Sequence, residues 1–254
     1  TEARAATVRH PHLTLIAGIE LGTEDGESDV HLISHFVNPC APGLQDFLSR
    51  LRDGRIEAAQ GTVIRLGELG IHISWERVME IAGGAVGRPH IARAMAEAGY
   101  VKNAQDAFQR YLGNDGLARV KRPKPTPGDG VRFLHSIGAT ATLAHPQTVK
   151  GLRRVLGFLV DEGLDGIEVF APKYGTSDRE RRLEVAKRSG LIAVGGSDYH
   201  AWGTSEEIVP GDAKTVGPPT DAVDRLRAAA DRWKAAATSA PQIPGEGHAT
   251  PSSG

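Results

Sequence analysis

Residues 191–200 read LIAVGGSDYH and place an apolar run, two glycines, an aspartate and a histidine in direct succession. The four residues LIAV form a continuous apolar segment, which is typical of a strand buried on both faces of a parallel sheet. Gly195 and Gly196 then let the backbone turn sharply. Because α/β folds place their chemical groups at the C-terminal ends of strands, we expect Asp198 and His200 to lie at the mouth of a site.

Asp198 and His200 are two residues apart, and in an extended segment this spacing puts both side chains on one face. A carboxylate oxygen and an imidazole nitrogen on one face suit a shared metal ion. The alternative is that Asp198 caps the next turn beside a surface histidine, an arrangement that needs no ligand. An Asp-x-His triplet is common, so the metal hypothesis needs further ligands elsewhere in the chain.

A second acid and a second histidine lie in the N-terminal part of the chain. Residues 13–19, LTLIAGI, are apolar and rich in β-formers, and they predict a strand that leads to Glu20. Residues 30–37, VHLISHFV, predict the next strand of a hairpin-like pair. His31 and His35 are four residues apart and therefore lie on the same face of that strand. Taken alone, His35 is more typical of a polar residue at a strand end.

The C-terminal half alternates between strand and helix patterns. Residues 139–144, ATATLA, predict a strand that ends at His145, and the proline that follows stops further pairing. Residues 166–170, GIEVF, predict another strand, which carries Glu168. Helical patterns separate these strands, and the βαβα order predicts a parallel sheet or barrel. His145 then occupies a strand end of the same kind as Asp198.

The middle of the chain, residues 42–117, changes to a helical period and contains short amphipathic segments that mostly end at or near glycine. Its segment GRPH opens a helix, with the proline suited to the first turn. Arg88 and His90 therefore lie near a helix N-terminus, which favours a bound phosphate. The alternative is an ordinary surface helix start. The basic segment 119–124, RVKRPK, is typical of a solvated linker.

Composition narrows the classes of function. The chain has 254 residues, 40% hydrophobic and 24% charged, with a formal net charge of -1, which argues against retention on nucleic acid by bulk charge. Cys40 is the only cysteine, so an internal disulfide and a cysteine-based zinc cluster are excluded. A reducing cytoplasm is the natural compartment, and no apolar run approaches membrane-spanning length. Residues 238–254 are rich in Pro, Gly and Ser and predict a disordered tail.

Five motifs in order, GIEL with His31 eleven residues beyond Glu20, then GRPHIARAMAEAGYV, LAHP, GIEVF and GGSDYH, together resemble the PHP family of metal-dependent phosphoesterases, named for polymerases and histidinol phosphatase. The resemblance spans nearly the whole chain. It is strongest to the bacterial branch that hydrolyses nucleoside monophosphates or 3',5'-bisphosphates and trims 5' nucleotides from short RNA. It implies an α/β fold, a distorted seven-stranded β/α barrel of residues 1–41 and 118–237, with 42–117 as a helical insertion.

The resemblance also implies a site. A metal-dependent phosphoric ester hydrolase of this kind holds two or three divalent ions, for which Mn, Zn, Fe and Mg are all candidates, and acts on a small phosphorylated substrate such as a nucleotide or short oligonucleotide. No membrane and no stable duplex nucleic acid is implied as a partner. The resemblance places a substrate-contacting arginine at Arg88, and with His90, which opens the same helix, Arg88 is assigned a catalytic role. The metal-ligand positions of the pattern fall on Glu20, His31, His145, Asp198 and His200.

One departure from the family pattern affects the expected activity. The family opens with a strand carrying a His-x-His pair, which this sequence lacks. His10 and His12 form a His-Pro-His triplet, but it directly precedes the strand leading to Glu20, so we do not assign it to that motif. We therefore expect an N-terminally truncated, incomplete barrel with weak activity. The alternative is a non-catalytic PHP-like binding domain that has lost its N-terminal metal ligands.

Other hydrolase classes lack their motifs. A serine hydrolase of the α/β type needs a G-x-S-x-G elbow, and a P-loop enzyme needs G-x-x-x-x-G-K-[ST], and neither pattern occurs in the sequence.

Overall fold

The computed structural model describes residues 2–198 and 217–239, which form a mixed α/β structure with one five-stranded sheet among them. The strands are β1 (Gly18–Glu24), β2 (Asp29–His35), β3 (Thr142–Leu143), β4 (Gly166–Phe170) and β5 (Ile192–Gly195). The helices are α1 (Glu2–Arg9), α2 (Leu44–Glu68), α3 (Trp75–Ala82), α4 (Arg88–Glu97), α5 (Ala104–Ala107), α6 (Pro127–Ser136), α7 (Leu152–Asp161), α8 (Thr176–Arg188) and α9 (Ala222–Ser239). His200 and, beyond the end of α9, the predicted tail lie outside the described residues.

The chain divides into two compact units. The first, here called the sheet unit, is built from the chain up to Pro39 and from Pro125 onward. The second, the helical unit, comprises Cys40–Lys124. None of the helices in the described part of the chain combines the length and the apolar character needed to cross a membrane.

The sheet unit is organised by a sheet with the strand order β1-β2-β3-β4-β5. The strands β1, β2 and β3 pair antiparallel, whereas β3, β4 and β5 pair parallel. The helices α7 and α8 connect the parallel strands, as the alternating sequence pattern predicts. The C-terminal ends of β3, β4 and β5 therefore meet the N-terminal end of β2 at one edge of the sheet, here called the site edge.

The predicted hairpin is confirmed, because β1 and β2 pair antiparallel over their full lengths. The predicted bounds of its first strand are wrong. Residues 13–17 are not in a strand, and Leu13 is 55% exposed. The regular ladder begins where Gly18 pairs with His35, since Phe36 has a φ of 61° and interrupts β2 at that point.

One face of the hairpin packs against α6, and this decides which side chains remain available on the other face. Leu21 and Leu32 are buried on the packed face. Gly130 of α6 permits the close approach, because a Cβ atom there would lie 2.9 Å from the Cδ1 atom of Leu32. Alternation along the strands then puts Glu20 and His31 on the opposite face, which is only partly covered.

A buried polar network joins α6 and α9 to the edge of the sheet opposite the site edge. The carboxylate of Asp165 accepts hydrogen bonds from the backbone N–H of Ala141 at 2.9 Å and from the indole N–H of Trp233 at 3.0 Å. His135 Nε2 lies 3.1 Å from the same carboxylate, and its ring stacks on Trp233 with centroids 3.6 Å apart. Three groups thus satisfy one buried acid, as burial of a carboxylate requires.

The helical unit contains α2 to α5 and a π-helix, Phe108–Leu112. The sequence predicts short helical segments here, but Leu44–Glu68 form one long helix, α2, which continues through Gly54 and Gly61. Glycine costs only about 1 kcal/mol in a helix interior, and at Gly61 it also makes room, since a Cβ atom there would lie 3.3 Å from Val120 Cγ2. The largest side chains of its core are Leu66, Val78, Ile91, Met95 and Leu112.

Candidate metal centre

Glu20, His31 and His145 come together at the site edge from three different segments of the sheet unit. Glu20 lies in β1 and His31 in β2, and because His31 pairs with Gly22, Glu20 is its diagonal neighbour on the same face. His145 is the second residue after β3, and the backbone N–H of Ala144, the first, donates to the carbonyl oxygen of His31 at 2.9 Å. Strand pairing therefore delivers all three side chains to one place.

The potential ligand atoms of these residues converge. The Nδ1 atom of His31 lies 2.9 Å from Glu20 Oε1 and 3.1 Å from His145 Nε2, and His145 Nε2 lies 3.3 Å from the same Glu20 oxygen. The side chains of Glu20 and His31 are 41% and 34% exposed, so the cluster is open to solvent on one side. One carboxylate oxygen and two imidazole nitrogens are a donor set that divalent transition metals favour.

The electrostatics of the cluster also fit a cation. Hydrogen bonds from His145 and His31 hold the pKa of the Glu20 carboxyl far below its usual range. The hydrogen bond that His145 donates to Glu20 raises the pKa of His145 above its ordinary value, and the negative charges of Glu168 and Asp198 add to the effect. The cluster therefore favours positive charge at the point where the ligand atoms meet, which is the charge a metal ion carries.

The ring of His145 is oriented by Thr148. The hydroxyl of Thr148 donates to the backbone carbonyl of His145 at 3.0 Å, and its oxygen lies 3.1 Å from His145 Nδ1. With the hydroxyl proton used in this way, the oxygen accepts from the Nδ1–H group. In the neutral ring the lone pair is then on Nε2, the nitrogen that faces Glu20, and a hydrogen bond on the other ring nitrogen is the usual companion of a ligating histidine.

Glu168 holds the backbone of His145. His145 has a positive φ of 27°, which is unusual for a residue with a side chain. Its backbone N–H donates to Oε2 of Glu168 at 2.7 Å, and Glu168 is only 4% exposed. Burial raises the pKa of Glu168, whereas the hydrogen bond from His145 opposes that rise. The other oxygen, Oε1, has no hydrogen-bond partner among the described residues.

Asp198 follows β5 at the same edge, with a φ of 56°. Its Oδ2 accepts a hydrogen bond from the ammonium group of Lys173 at 2.9 Å. Asp198 is thus close enough for its charge to raise the pKa of His145, although Glu20 is the larger cause. The other half of the predicted Asp-x-His pair, His200, lies outside the described residues.

Arg88 and His90 lie in the helical unit at the start of α4. The guanidinium of Arg88 donates to the backbone carbonyl of Leu112 at 2.9 Å and stands 5.8 Å from the ring centre of Phe108. His90 Nδ1 accepts the backbone N–H of Gly87 at 3.1 Å, which caps the helix. Both residues therefore have local contacts that stabilise the helical unit, in addition to any contact with substrate.

Three residues that the sequence analysis did not assign to the site contact its candidate ligands: Thr148, Glu168 and Lys173. Only Glu168 gave a signal in the sequence, as an acid in the otherwise apolar strand GIEVF. A carboxylate at a position buried on both faces needs a polar partner, and this requirement points to a role. Thr148 and Lys173 lie in connecting segments, where their residue types are ordinary.

Three curated relatives are similar to this chain. The 5'-3' exoribonuclease Rnm of Salmonella typhimurium is 30% identical over 195 residues, which are 74% of this chain and 66% of the relative. The 3',5'-nucleoside bisphosphate phosphatase of Chromobacterium violaceum is 29% identical over 208 residues, 80% and 73% of the two chains. The phosphoribosyl 1,2-cyclic phosphate 1,2-diphosphodiesterase of Eggerthella lenta is 31% identical over 191 residues, 73% and 72%. No family model matches the chain.

A solved structure shares the fold. The chain from Bifidobacterium adolescentis described as a metal-dependent phosphoesterase superimposes with a TM-score of 0.74 and 26% identity. The similarity covers 90% of this chain and 80% of that chain.

Proposed function

We propose that this chain, because it belongs to the PHP family of metal-dependent phosphoesterases, hydrolyses phosphate esters of nucleotides or of the 5' ends of short RNA. The observation that carries the proposal is the convergence of Glu20 Oε1, His31 Nδ1 and His145 Nε2, which all lie within 4.8 Å of one another. Relatives named as an exoribonuclease and as a nucleoside bisphosphate phosphatase support the nucleotide class of substrate. Hydrolysis of such esters needs no side-chain nucleophile.

In this proposal Glu20, His31 and His145 hold a divalent ion, and Asp198 and His200 complete the set around a second or third ion. Mn, Zn, Fe and Mg all suit carboxylate and imidazole ligands, in different proportions. Divalent ions bound there supply Lewis-acid activation of the phosphate ester and of the attacking water. The chain's own contribution is to fix the donor atoms: β1 and β2 align Glu20 with His31, and Thr148 directs the Nε2 lone pair of His145 into the cluster.

The proposed fold is the family's distorted seven-stranded β/α barrel, formed by residues 1–41 and 118–237, with residues 42–117 as a helical insertion. The parallel strands β3, β4 and β5 with their connecting helices support it, since they bring His145, Glu168 and Asp198 to one edge. This is the edge at which barrels of parallel strands carry their chemistry.

Arg88 and His90 are proposed to contact a substrate phosphate from the start of α4. A guanidinium can bind phosphate through two parallel hydrogen bonds, and a helix N-terminus adds free N–H groups. The Nη1 group of Arg88 donates to the backbone carbonyl of Leu112, and His90 caps the helix, so both side chains are held in defined positions. The proposed ligand is a phosphate that is not being cleaved, as in a 3',5'-bisphosphate.

Release of inorganic phosphate from adenosine 3',5'-bisphosphate in the presence of Mn²⁺ tests the proposal. We expect phosphate release that stops on addition of a chelator. His145→Ala is expected to lower the rate by more than about 100-fold, since even residues that only orient a ligand are worth about 10- to 100-fold. His12→Ala is the matched control, because His12 is an exposed histidine outside the cluster. No metal-dependent release, or an equal loss in both variants, would refute the proposal.

A further inference from the structure

Lys173 stands at the site edge in the short connection between β4 and α8. Its ammonium group lies 2.9 Å from Oδ2 of Asp198, and both side chains are 35% exposed. The positive charge of Lys173 also lowers the pKa of Glu168, against a larger rise caused by burial. Lys173 is therefore a cation placed among the acids that surround the candidate metal centre.

The backbone around Lys173 is firmly held. The next residue, Tyr174, is 4% exposed, and its N–H donates to the carbonyl of Ala171 at 2.9 Å. The phenol hydroxyl of Tyr174 donates to Gln147, and the guanidinium of Arg182 lies 4.0 Å from the centre of its ring. A fixed backbone with a half-exposed side chain leaves the four-carbon stem of Lys173 as the part that can change its position.

The ion pair with Asp198 conflicts with the proposed role of that carboxylate. A divalent ion that binds Asp198 lies close to the ammonium group of Lys173, and two positive charges at such a distance repel one another. This repulsion favours a different ion pair, in which the ammonium group contacts another anion. Under the proposed function the phosphate of a bound substrate is such an anion, and a lysine is a common point-charge ligand for phosphate.

We propose that Lys173 is a phosphate-binding residue of this site, paired with Asp198 in the metal-free protein and with a phosphate oxygen of the substrate once a divalent ion is bound. This inference rests on the proposed function, because it takes Asp198 as a metal ligand. In this role Lys173 has opposite effects on the two ligands, because its charge weakens the binding of the metal ion and strengthens the binding of phosphate. A residue that merely stabilised the fold would affect both in the same direction.

The test measures two affinities in the full chain by isothermal titration calorimetry, first for Mn²⁺ alone and then for inorganic phosphate with Mn²⁺ saturating. Lys173→Met keeps the length of the stem and removes the charge. We expect Mn²⁺ to bind about two- to fivefold more tightly, the equivalent of losing one partly exposed ion pair. We expect phosphate to bind about tenfold more weakly, the low end for a charge-assisted contact. Lys173→Arg keeps the charge and is expected to retain most of the phosphate affinity.

Lys234→Met is the matched control, since Lys234 forms a similar ion pair with Asp231 at 3.1 Å on α9. It is expected to change neither affinity. Weaker or unchanged Mn²⁺ binding in Lys173→Met, or unchanged phosphate binding, would overturn the role of Lys173. If Lys173→Met unfolds, the Lys173→Arg variant tests the proposal instead. Equal losses of phosphate affinity and of Mn²⁺ affinity in Lys173→Arg would indicate a structural residue and overturn the proposed role. A wild-type chain that binds no Mn²⁺ would instead refute the proposed function itself.

Discussion

Replacing Glu168 by alanine is expected to weaken both the fold and the metal centre, because one carboxylate oxygen holds the backbone of His145. The variant leaves the N–H of His145 without its acceptor at 2.7 Å. A buried donor left unsatisfied costs about 1–3 kcal/mol, and the positive φ of His145 loses the contact that maintains it. Since His145 supplies one of the converging nitrogens, we expect Mn²⁺ affinity to fall by about 10- to 100-fold.

Glu168→Gln is the matched variant. Its amide oxygen can still accept the hydrogen bond from His145, so it should keep most of the stability and of the metal affinity. Urea denaturation gives the free energy of unfolding, and calorimetric titration with Mn²⁺ gives the affinity. Equal losses in the glutamine and alanine variants would show that the hydrogen bond to His145 is not the cause. Wild-type Mn²⁺ affinity in Glu168→Ala would show that this contact does not position a ligand.

Two further predictions concern stability away from the metal centre. Trp233→Phe removes the indole N–H that Asp165 accepts at 3.0 Å. We expect the free energy of unfolding measured in urea to fall by about 1.5–3 kcal/mol, the range for a hydrogen bond to a charged group, with Mn²⁺ affinity unchanged; an unchanged free energy of unfolding would contradict the importance of this network. Asp25→Asn tests the turn between β1 and β2, where the carboxylate accepts the backbone N–H groups of Ser28 and Glu27 at 2.9 and 3.0 Å. Burial alone would raise the pKa of Asp25, but these hydrogen bonds and Arg154 lower it below the ordinary value of 3.8. A lowered pKa stabilises the fold above the unfolded value and loses this effect as the pH falls through the folded value. The variant should therefore be less stable than the wild type at pH 7, with the difference shrinking below pH 3.8, and a pH-independent difference would contradict the assignment.

The positions of two candidate ligands in the strand pattern were predictable from the sequence. Alternation in residues 30–37 placed His31 and His35 on one face of the predicted strand, and the apolar run before His145 placed that histidine at a strand end. These two signals come from periodicity, which strand geometry enforces. The sequence could not show that Thr148 orients the ring of His145 or that Glu168 holds its backbone, because such contacts depend on how separate segments meet.

The bounds of the strands were less predictable, because a strand extends only as far as its neighbour offers a regular ladder of hydrogen bonds. Residues 13–17 have strand composition, but the regular part of β2 ends at His35 and gives them no ladder to extend. The strand predicted at residues 139–144 is reduced to the two residues of β3. There the side chain of Asp165 accepts the N–H of Ala141, so a side chain replaces part of the ladder.

Nitrogen NMR of the chain with labelled histidines, recorded before and after addition of Zn²⁺, tests the central claim most directly. Zn²⁺ is diamagnetic and accepts imidazole nitrogen ligands. The account predicts that Nδ1 of His31 and Nε2 of His145 shift to values typical of coordinated nitrogens, while the buried His135, engaged with Asp165, does not change. Unchanged signals from His31 and His145, with Zn²⁺ shifting other histidines instead, would contradict it.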